Sequence, residues 1–237
     1  MDLSQASMLI VDDEPMLRVI FEQWFTKAGC RSVSTAGDGE EALVALQAGH
    51  FDLLVSDVRM PKMDGLALVR RLAEQRRTIP SIIFVSGFGD VDEREMYGLG
   101  VEAFLAKPLR REDLLSIISR ALAERSALWR EPMAIAPRQS ITIEAQGISF
   151  SRDVGAVHLG QGGFSAHYDG SISPGKVSFQ CICSAGHEQL AGEGYVRWCS
   201  KSEQLIGIEF VFLEPSSRSW VVERIGIDKP YSFIPSC

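Results

Sequence analysis

Paired cysteines, histidines, long apolar runs and basic excess are all scarce in this 237-residue chain, and each scarcity excludes something. The five cysteines, Cys30, Cys181, Cys183, Cys199 and Cys237, are odd in number and include no Cys-x-x-Cys pair. That argues for reduced thiols and against a disulfide framework or a cysteine metal site. Histidines number only four, and in the second half they and the acids form no spaced catalytic set, so no enzyme is expected there. No run approaches the length of a membrane span. The start, Met1-Asp2-Leu3-Ser4-Gln5, has neither basic residues nor a secretory core, which predicts a cytoplasmic protein. Net charge is −7. Residues 1–127 carry 15 basic and 20 acidic side chains, and residues 128–237 carry 9 and 11. Neither half has the cationic surplus that DNA binding requires, and the end of the chain shows no helix-turn-helix pattern.

What is present divides at about residue 127, giving an expectation of two domains, 1–127 and 128–237. In the first, short apolar runs alternate with helical patterns. Strands are predicted at Met8–Val11, Ser32–Thr35, Phe51–Asp57, Pro80–Ser86 and Val101–Ala106. Helices are predicted through Leu17–Phe25, Gly39–Gly49, Leu66–Arg77, Val91–Leu99 and from Glu112 toward Leu128. Leu17, Ile20, Phe21, Trp24 and Phe25 form the apolar stripe of the first helix. Five strands alternating with five helices predict a doubly wound, five-stranded parallel sheet.

The polar residues that end these strands are chemically coherent. The first strand delivers Asp12 and Asp13, the third Asp57, the fourth Ser86 and the fifth Lys107. Parallel strand ends share one edge of a sheet, so these groups can converge. Asp57 could merely cap the next helix, but Asp64 stands nearer and fits that role. Asp12 and Asp13 could cap the first helix, with Pro15 in its first turn, although two adjacent acids exceed that need. Three carboxylates in one pocket repel unless a cation joins them, and hard oxygen donors in that number suit Mg²⁺. A lysine ammonium and a serine hydroxyl can hold phosphoryl oxygens. The set describes phosphoryl transfer to the Asp57 carboxylate.

In this ordered set, Asp12-Asp13, Asp57 with Met60-Pro61 and Asp64-Gly65, Ser86-Gly87 and Lys107-Pro108, residues of about 6–125 resemble the receiver domain of two-component response regulators. The resemblance implies a flavodoxin-like fold in which Asp57 is the phosphoacceptor for a sensor histidine kinase or a phosphotransfer protein. It implies Mg²⁺ bound by Asp12, Asp13, Asp57 and the backbone carbonyl of Arg59. It also implies a cis Lys107–Pro108 bond and a switch role for Phe104, whose ring turns inward as Ser86 closes on the phosphate. Arg59 and Phe88 occupy positions that tune phosphate lifetime in that family.

Pro132 and Pro137 mark Glu131–Pro137 as a linker. Beyond it the period becomes two. Val177, Phe179, Cys181 and Cys183 share one strand face, with Ser178 and Gln180 on the other; Ile206, Ile208, Phe210 and Phe212 alternate likewise, with Glu209 between them. Ile141–Ala145 and Tyr195–Trp198 read as further strands, and frequent glycines mark turns. A small antiparallel β-barrel is predicted, closed by a C-terminal helix that starts at Ser216 or Ser217 and carries Trp220, Val221 and Ile225.

This half resembles a PilZ domain through Ala156-Val157-His158-Leu159-Gly160-Gln161-Gly162-Gly163-Phe164, Pro174-Gly175-Lys176-Val177, Gly194-Tyr195-Val196-Arg197-Trp198 and Leu205-Ile206-Gly207-Ile208-Glu209-Phe210. The resemblance implies cyclic di-GMP binding through Arg-x-x-x-Arg and Asp/Asn-x-Ser-x-x-Gly motifs. Both are degenerate here. Arg138 matches the second arginine, but Ala134 replaces the first, and Arg130 is the one nearby substitute. His158, Gly160 and Gly163 hold the named positions of the second motif, and only the last matches. Each lost charge-assisted bond is worth about 1.5–3 kcal/mol, so weak or absent nucleotide binding is expected. Two functions follow: a phosphorylation switch acting on an unknown downstream protein, or a cyclic di-GMP effector gated by the receiver. The oligomeric state stays open, homo-oligomer included.

Overall fold

The computed structural model describes residues 2–74, 79–87, 92–149, 156–184, 189–228, 230 and 232–236. The predicted position of Phe88 and the predicted ends of two helices, at Arg77 and Val91, lie outside them. Compactness divides the chain into two units, one of residues 1–91 and 101–124, the other of residues 92–100 and 125–237.

The first unit is built on β1 (Ser7–Val11), β2 (Ser32–Ala36), β3 (Leu53–Ser56), β4 (Ser81–Ser86) and β5 (Val101–Ala106), all parallel, in the order β2-β1-β3-β4-β5. All four residues of β3 are buried, as are the apolar residues of β1 and β4. This is what a sheet covered on both faces demands. Helices α1 (Pro15–Lys27), α2 (Gly39–Ala48), α3 (Gly65–Glu74) and α5 (Arg111–Leu122) belong to this unit. Phe21 and Phe25 carry the buried face of α1, whereas Ile20, read as part of its stripe, is 38% exposed. Helix α5 stops at Leu122 instead of running toward Leu128: the backbone turns extended at Ala123, and a 3-10 turn follows at Arg125–Ala127.

The second unit takes in the six-residue helix α4 (Glu93–Gly98) and a seven-stranded sheet. Its strands are β6 (Gln139–Ala145), β7 (Ile148–Ser149), β8 (Val157–Leu159), β9 (Gly163–His167), β10 (Gly175–Cys183), β11 (Gln189–Ser200) and β12 (Leu205–Leu213), in the order β6-β10-β11-β12-β9-β8-β7. Ile141 of β6 and Val157 of β8 share one core with Phe164, Phe179 and Phe210, so the sheet wraps around a single interior, barrel-like. It is mixed, not purely antiparallel as expected: β6 pairs parallel with β10, and β7 with β8. Parallel neighbours arise because the chain returns to each by a connection longer than a hairpin.

The predicted face of β10 holds, with Val177, Phe179, Cys181 and Cys183 buried. Burial also pushes the Cys181 thiol pKa upward. Strand β12 departs from alternation. Glu209 is 1% exposed, whereas Val211 and Phe212 are half-buried. The reason is Arg197, whose Nε and Nη2 donate to Glu209 Oε2 at 2.6 and 2.5 Å. A register shift between Val196 and Trp198 in β11 turns Arg197 toward this partner. Helix α6 (Pro215–Asp228) starts before the predicted serines. Ser217 instead ties it to β11, donating to the Gln189 carbonyl at 3.1 Å and accepting from the Ala191 amide at 3.0 Å.

Candidate phosphoacceptor site

Register alone brings the acids together. Val11 lies beside Ser56, and the Asp57 amide continues the ladder by donating to the Val11 carbonyl at 2.8 Å. Asp12 and Asp57 are therefore the next residues out on adjacent strands. β1 has β2 on one side and β3 on the other, so this edge is also the point where strand order reverses, the usual location of α/β sites. On the far side Ser86 pairs with Ala106, and the Lys107 amide donates to the Ser86 carbonyl at 2.8 Å.

The side chains then meet. Carboxylate oxygens of Asp12, Asp13 and Asp57 lie within 4.8 Å of one another. Lys107 Nζ donates to Asp57 Oδ2 at 2.6 Å and to Asp12 Oδ2 at 2.8 Å. Ser86 Oγ donates to Asp57 Oδ1 at 2.7 Å, and the Arg59 amide donates to the same oxygen at 3.0 Å. Asp12 and Asp57 are buried and Asp13 is exposed, so the cluster opens toward solvent through Asp13.

Burial opposes charge on Asp57, but the bonds from Lys107, Ser86 and the Arg59 amide outweigh it and hold its pKa below the ordinary aspartate value. Burial likewise opposes charge on Lys107, and the two carboxylates outweigh it, raising its pKa. Both groups are therefore ionised at neutral pH. An ionised carboxylate is a nucleophile, and an ammonium together with a hydroxyl already aimed at it form a preorganised set of donors for oxygens bound there. The donor set also fits a hard divalent cation: three carboxylates clustered around one solvent-facing opening exceed what one ammonium can neutralise.

The supporting shell fixes this geometry. Asp12 is not the cap of α1, the alternative its sequence position left open; its Oδ1 accepts from the Glu14 amide at 2.9 Å, while Glu14 takes the cap position ahead of Pro15. Asp64 does cap α3, accepting from the Ala67 amide at 2.7 Å. A Cβ on Gly65 would lie 2.4 Å from the Asp57 carbonyl oxygen, so only glycine lets α3 begin this close to the acceptor strand. The Lys107–Pro108 peptide is cis, as expected. Phe104 is half-buried on β5, in register with Phe84.

Sequence reading missed Arg18, whose Nη1 donates to the Asp12 carbonyl at 2.6 Å, and the Lys62–Asp38 pair at 2.5 Å. Arg18 could have been suspected from its place one turn into α1, five residues after Asp13. Nothing local signals that Lys62 reaches Asp38, 24 residues away.

The second-unit candidates lie on separate elements. His158 is half-buried on β8, Gly160 and Gly163 flank the β8–β9 turn, and exposed Arg138 precedes β6, which is not a neighbour of β8 or β9 in the sheet. Arg130, the candidate substitute, is folded back with Nη2 donating to the Ser126 carbonyl at 2.8 Å.

Comparison with known proteins gives a match to the response regulator receiver domain over residues 8–119. Relatives include the probable transcriptional regulator ycf27 of Cyanophora paradoxa, 38% identical over 127 residues, 53% of this chain and 52% of that protein. The DNA-binding transcriptional regulator NtrC of Proteus hauseri is 34% identical over 123 residues, 51% of this chain and 25% of that protein. The transcriptional regulatory protein TcrA of Mycobacterium tuberculosis is 33% identical over 132 residues, 55% of this chain and 51% of that protein. The matched stretch thus spans only a quarter to a half of these relatives. Among solved structures, the chemotaxis response regulator CheY4 of Vibrio cholerae shows 32% identity and a TM-score of 0.46, covering 50% of this chain and 99% of its own.

Proposed function

We propose that this chain, whose N-terminal part is a receiver domain, is a response regulator that takes a phosphoryl group on Asp57 and switches a PilZ-like output domain. The donor is a sensor histidine kinase or a phosphotransfer protein. The output works through contacts with a downstream protein, because the nucleotide motifs at Arg138, His158, Gly160 and Gly163 are degenerate. The protein is read as a switch without turnover, not an enzyme.

In the transfer step an Asp57 carboxylate oxygen attacks phosphorus. The new bond forms as the bond from phosphorus to the donor breaks, and the leaving group keeps the electron pair. Asp12, Asp13, Asp57 and the Arg59 carbonyl would hold Mg²⁺, which when bound supplies positive charge against the phosphoryl oxygens. The protein's own groups do the rest. Lys107 and Ser86 now spend their donors on Asp57. Once the carboxylate becomes an acyl phosphate, its charge moves outward, and both donors follow it to phosphoryl oxygens. Ser86 then vacates the space beside β5, and the Phe104 ring fills it.

The observation that carries this reading is the Lys107 ammonium bonded to both Asp12 and Asp57 while Ser86 bonds the other Asp57 oxygen. The test is intact-mass measurement after incubation with acetyl phosphate and Mg²⁺. The expected result is one added phosphoryl group, lost with chelator and absent in Asp57→Asn. Equal labelling of the folded Asp57→Asn chain would refute it.

A further inference from the structure

Residues 232–236 belong to no helix or strand, yet Ile234 is fully buried and Phe233 is 4% exposed. Segments without regular structure need such burial to be tied down, and this one is tied on two sides within the second unit. On one side is the β8–β9 turn. The amides of Gln161 and Gly162 donate to the carbonyls of Ser232 and Phe233 at 2.9 and 3.0 Å, and Gln161 Nε2 donates to the Pro230 carbonyl at 2.8 Å. On the other is α4. The Phe233 amide donates to the Tyr97 carbonyl at 3.0 Å, and Arg94 Nε and Nη2 donate to the Ser236 carbonyl at 2.9 and 2.7 Å. The rings of Tyr97 and Phe233 sit 6.0 Å apart between centroids.

The turn is shaped to the segment. A Cβ on Gly162 would lie 2.1 Å from the Phe233 ring, and one on Gly160 would lie 2.4 Å from the Phe233 carbonyl oxygen. Real Cβ atoms do not approach that closely, so side chains at these two positions would expel Phe233. Backbone amides that pair with consecutive carbonyls of a bent segment, next to a slot for one aromatic ring, make a peptide seat: the main chain gives attachment and the ring gives selectivity.

We propose that the β8–β9 turn and α4 together form a seat for a bent peptide segment, and that its occupant is the chain's own segment Ser232–Ser236. The chemistry it selects is an aromatic residue followed by an aliphatic residue and a proline, with consecutive carbonyls offered to the turn. The glycines at positions 160 and 162 thereby serve peptide docking. This stands apart from the phosphorylation reading and survives its failure.

Hydrogen–deuterium exchange of the unphosphorylated, metal-free chain tests the seat. Gly162→Ala in the full-length chain should speed exchange of amides in 94–99 and 232–236 by roughly tenfold or more. Phe233→Ala should have a smaller effect of the same kind. The double variant should exchange no faster than Phe233→Ala alone, because the clash has lost its partner. A chain ending at Pro230 should show the faster exchange, and added peptide Ser-Phe-Ile-Pro-Ser should slow it again. Should the truncated chain fail to fold, the two full-length substitutions decide. Unchanged exchange in Gly162→Ala, or additive effects in the double variant, would overturn the proposal.

Discussion

At the scale of single residues, the site balances three carboxylates against one ammonium, and Lys107 is the residue whose loss should be most informative. Removing it leaves buried Asp12 and Asp57 facing each other without a cation. Breaking a buried pair this way typically costs about 3 kcal/mol. The sign of the pH dependence should also reverse. In the wild type the Asp57 pKa is lowered by folding, so its contribution is complete above the ordinary aspartate value and is lost as pH falls through the folded one. The Lys107 pKa is raised, so its contribution is complete below the ordinary lysine value and is lost as pH rises through the folded one. In Lys107→Ala the neighbouring acid should raise the Asp57 pKa instead, and stability should increase on acidification through the carboxylate range. Urea titrations of the metal-free proteins between neutral and acidic pH check this; a parallel pair of curves would contradict it. Removing a preorganised donor of this kind should also slow phosphorylation roughly 100-fold. Ser86→Ala, which spares the ion pair, should slow it less.

At the scale of elements, the capped start of α3 ties local sequence to the site. Asp64→Ala removes the side-chain cap and should cost about 1 kcal/mol. Gly65→Ala forces a Cβ against the Asp57 carbonyl and should cost roughly 1–3 kcal/mol. It should also slow phosphorylation, because the strand end bearing the acceptor must shift, whereas Asp64→Ala should leave the rate nearly unchanged. Thermal melts paired with labelling rates separate the two effects. These elements were legible in sequence because short apolar runs ending in Asp12, Asp57, Ser86 and Lys107 encode both the strand and its functional end. What escaped reading was non-local. Glu209 lies on an alternating pattern and looks exposed, yet a bulge in β11 supplies Arg197 as its partner. Glu209→Ala should cost about 3 kcal/mol by leaving Arg197 half-buried without its counter-charge, the low end because a third of that side chain still meets solvent. The stop of α5 at Leu122 was equally invisible, since no glycine or proline follows it before Pro132.

At the scale of the whole molecule, an acidic chain of two compact units gathers the carboxylates of Asp12, Asp13 and Asp57 in the first. Among the described residues no helix is long and apolar enough to cross a membrane. Parallel strand order exposed the first unit's topology to sequence reading; the mixed pairing of β6 with β10 and β7 with β8 did not show, because period-two patterns do not encode strand direction. Calorimetry of the full chain with cyclic di-GMP should give no heat of micromolar binding, given an exposed Arg138, a retracted Arg130 and a glycine at position 160. Micromolar heat would instead favour a nucleotide-gated output. The most direct measurement of the central claim is to locate the label: treat the Mg²⁺-loaded, acetyl-phosphate-reacted chain with borohydride, which reduces an acyl phosphate to an alcohol, and sequence its peptides by mass spectrometry. Asp57 should be converted to homoserine, and no other acid should be reduced. Reduction at another acid, with Asp57 intact in a folded chain, would contradict that claim.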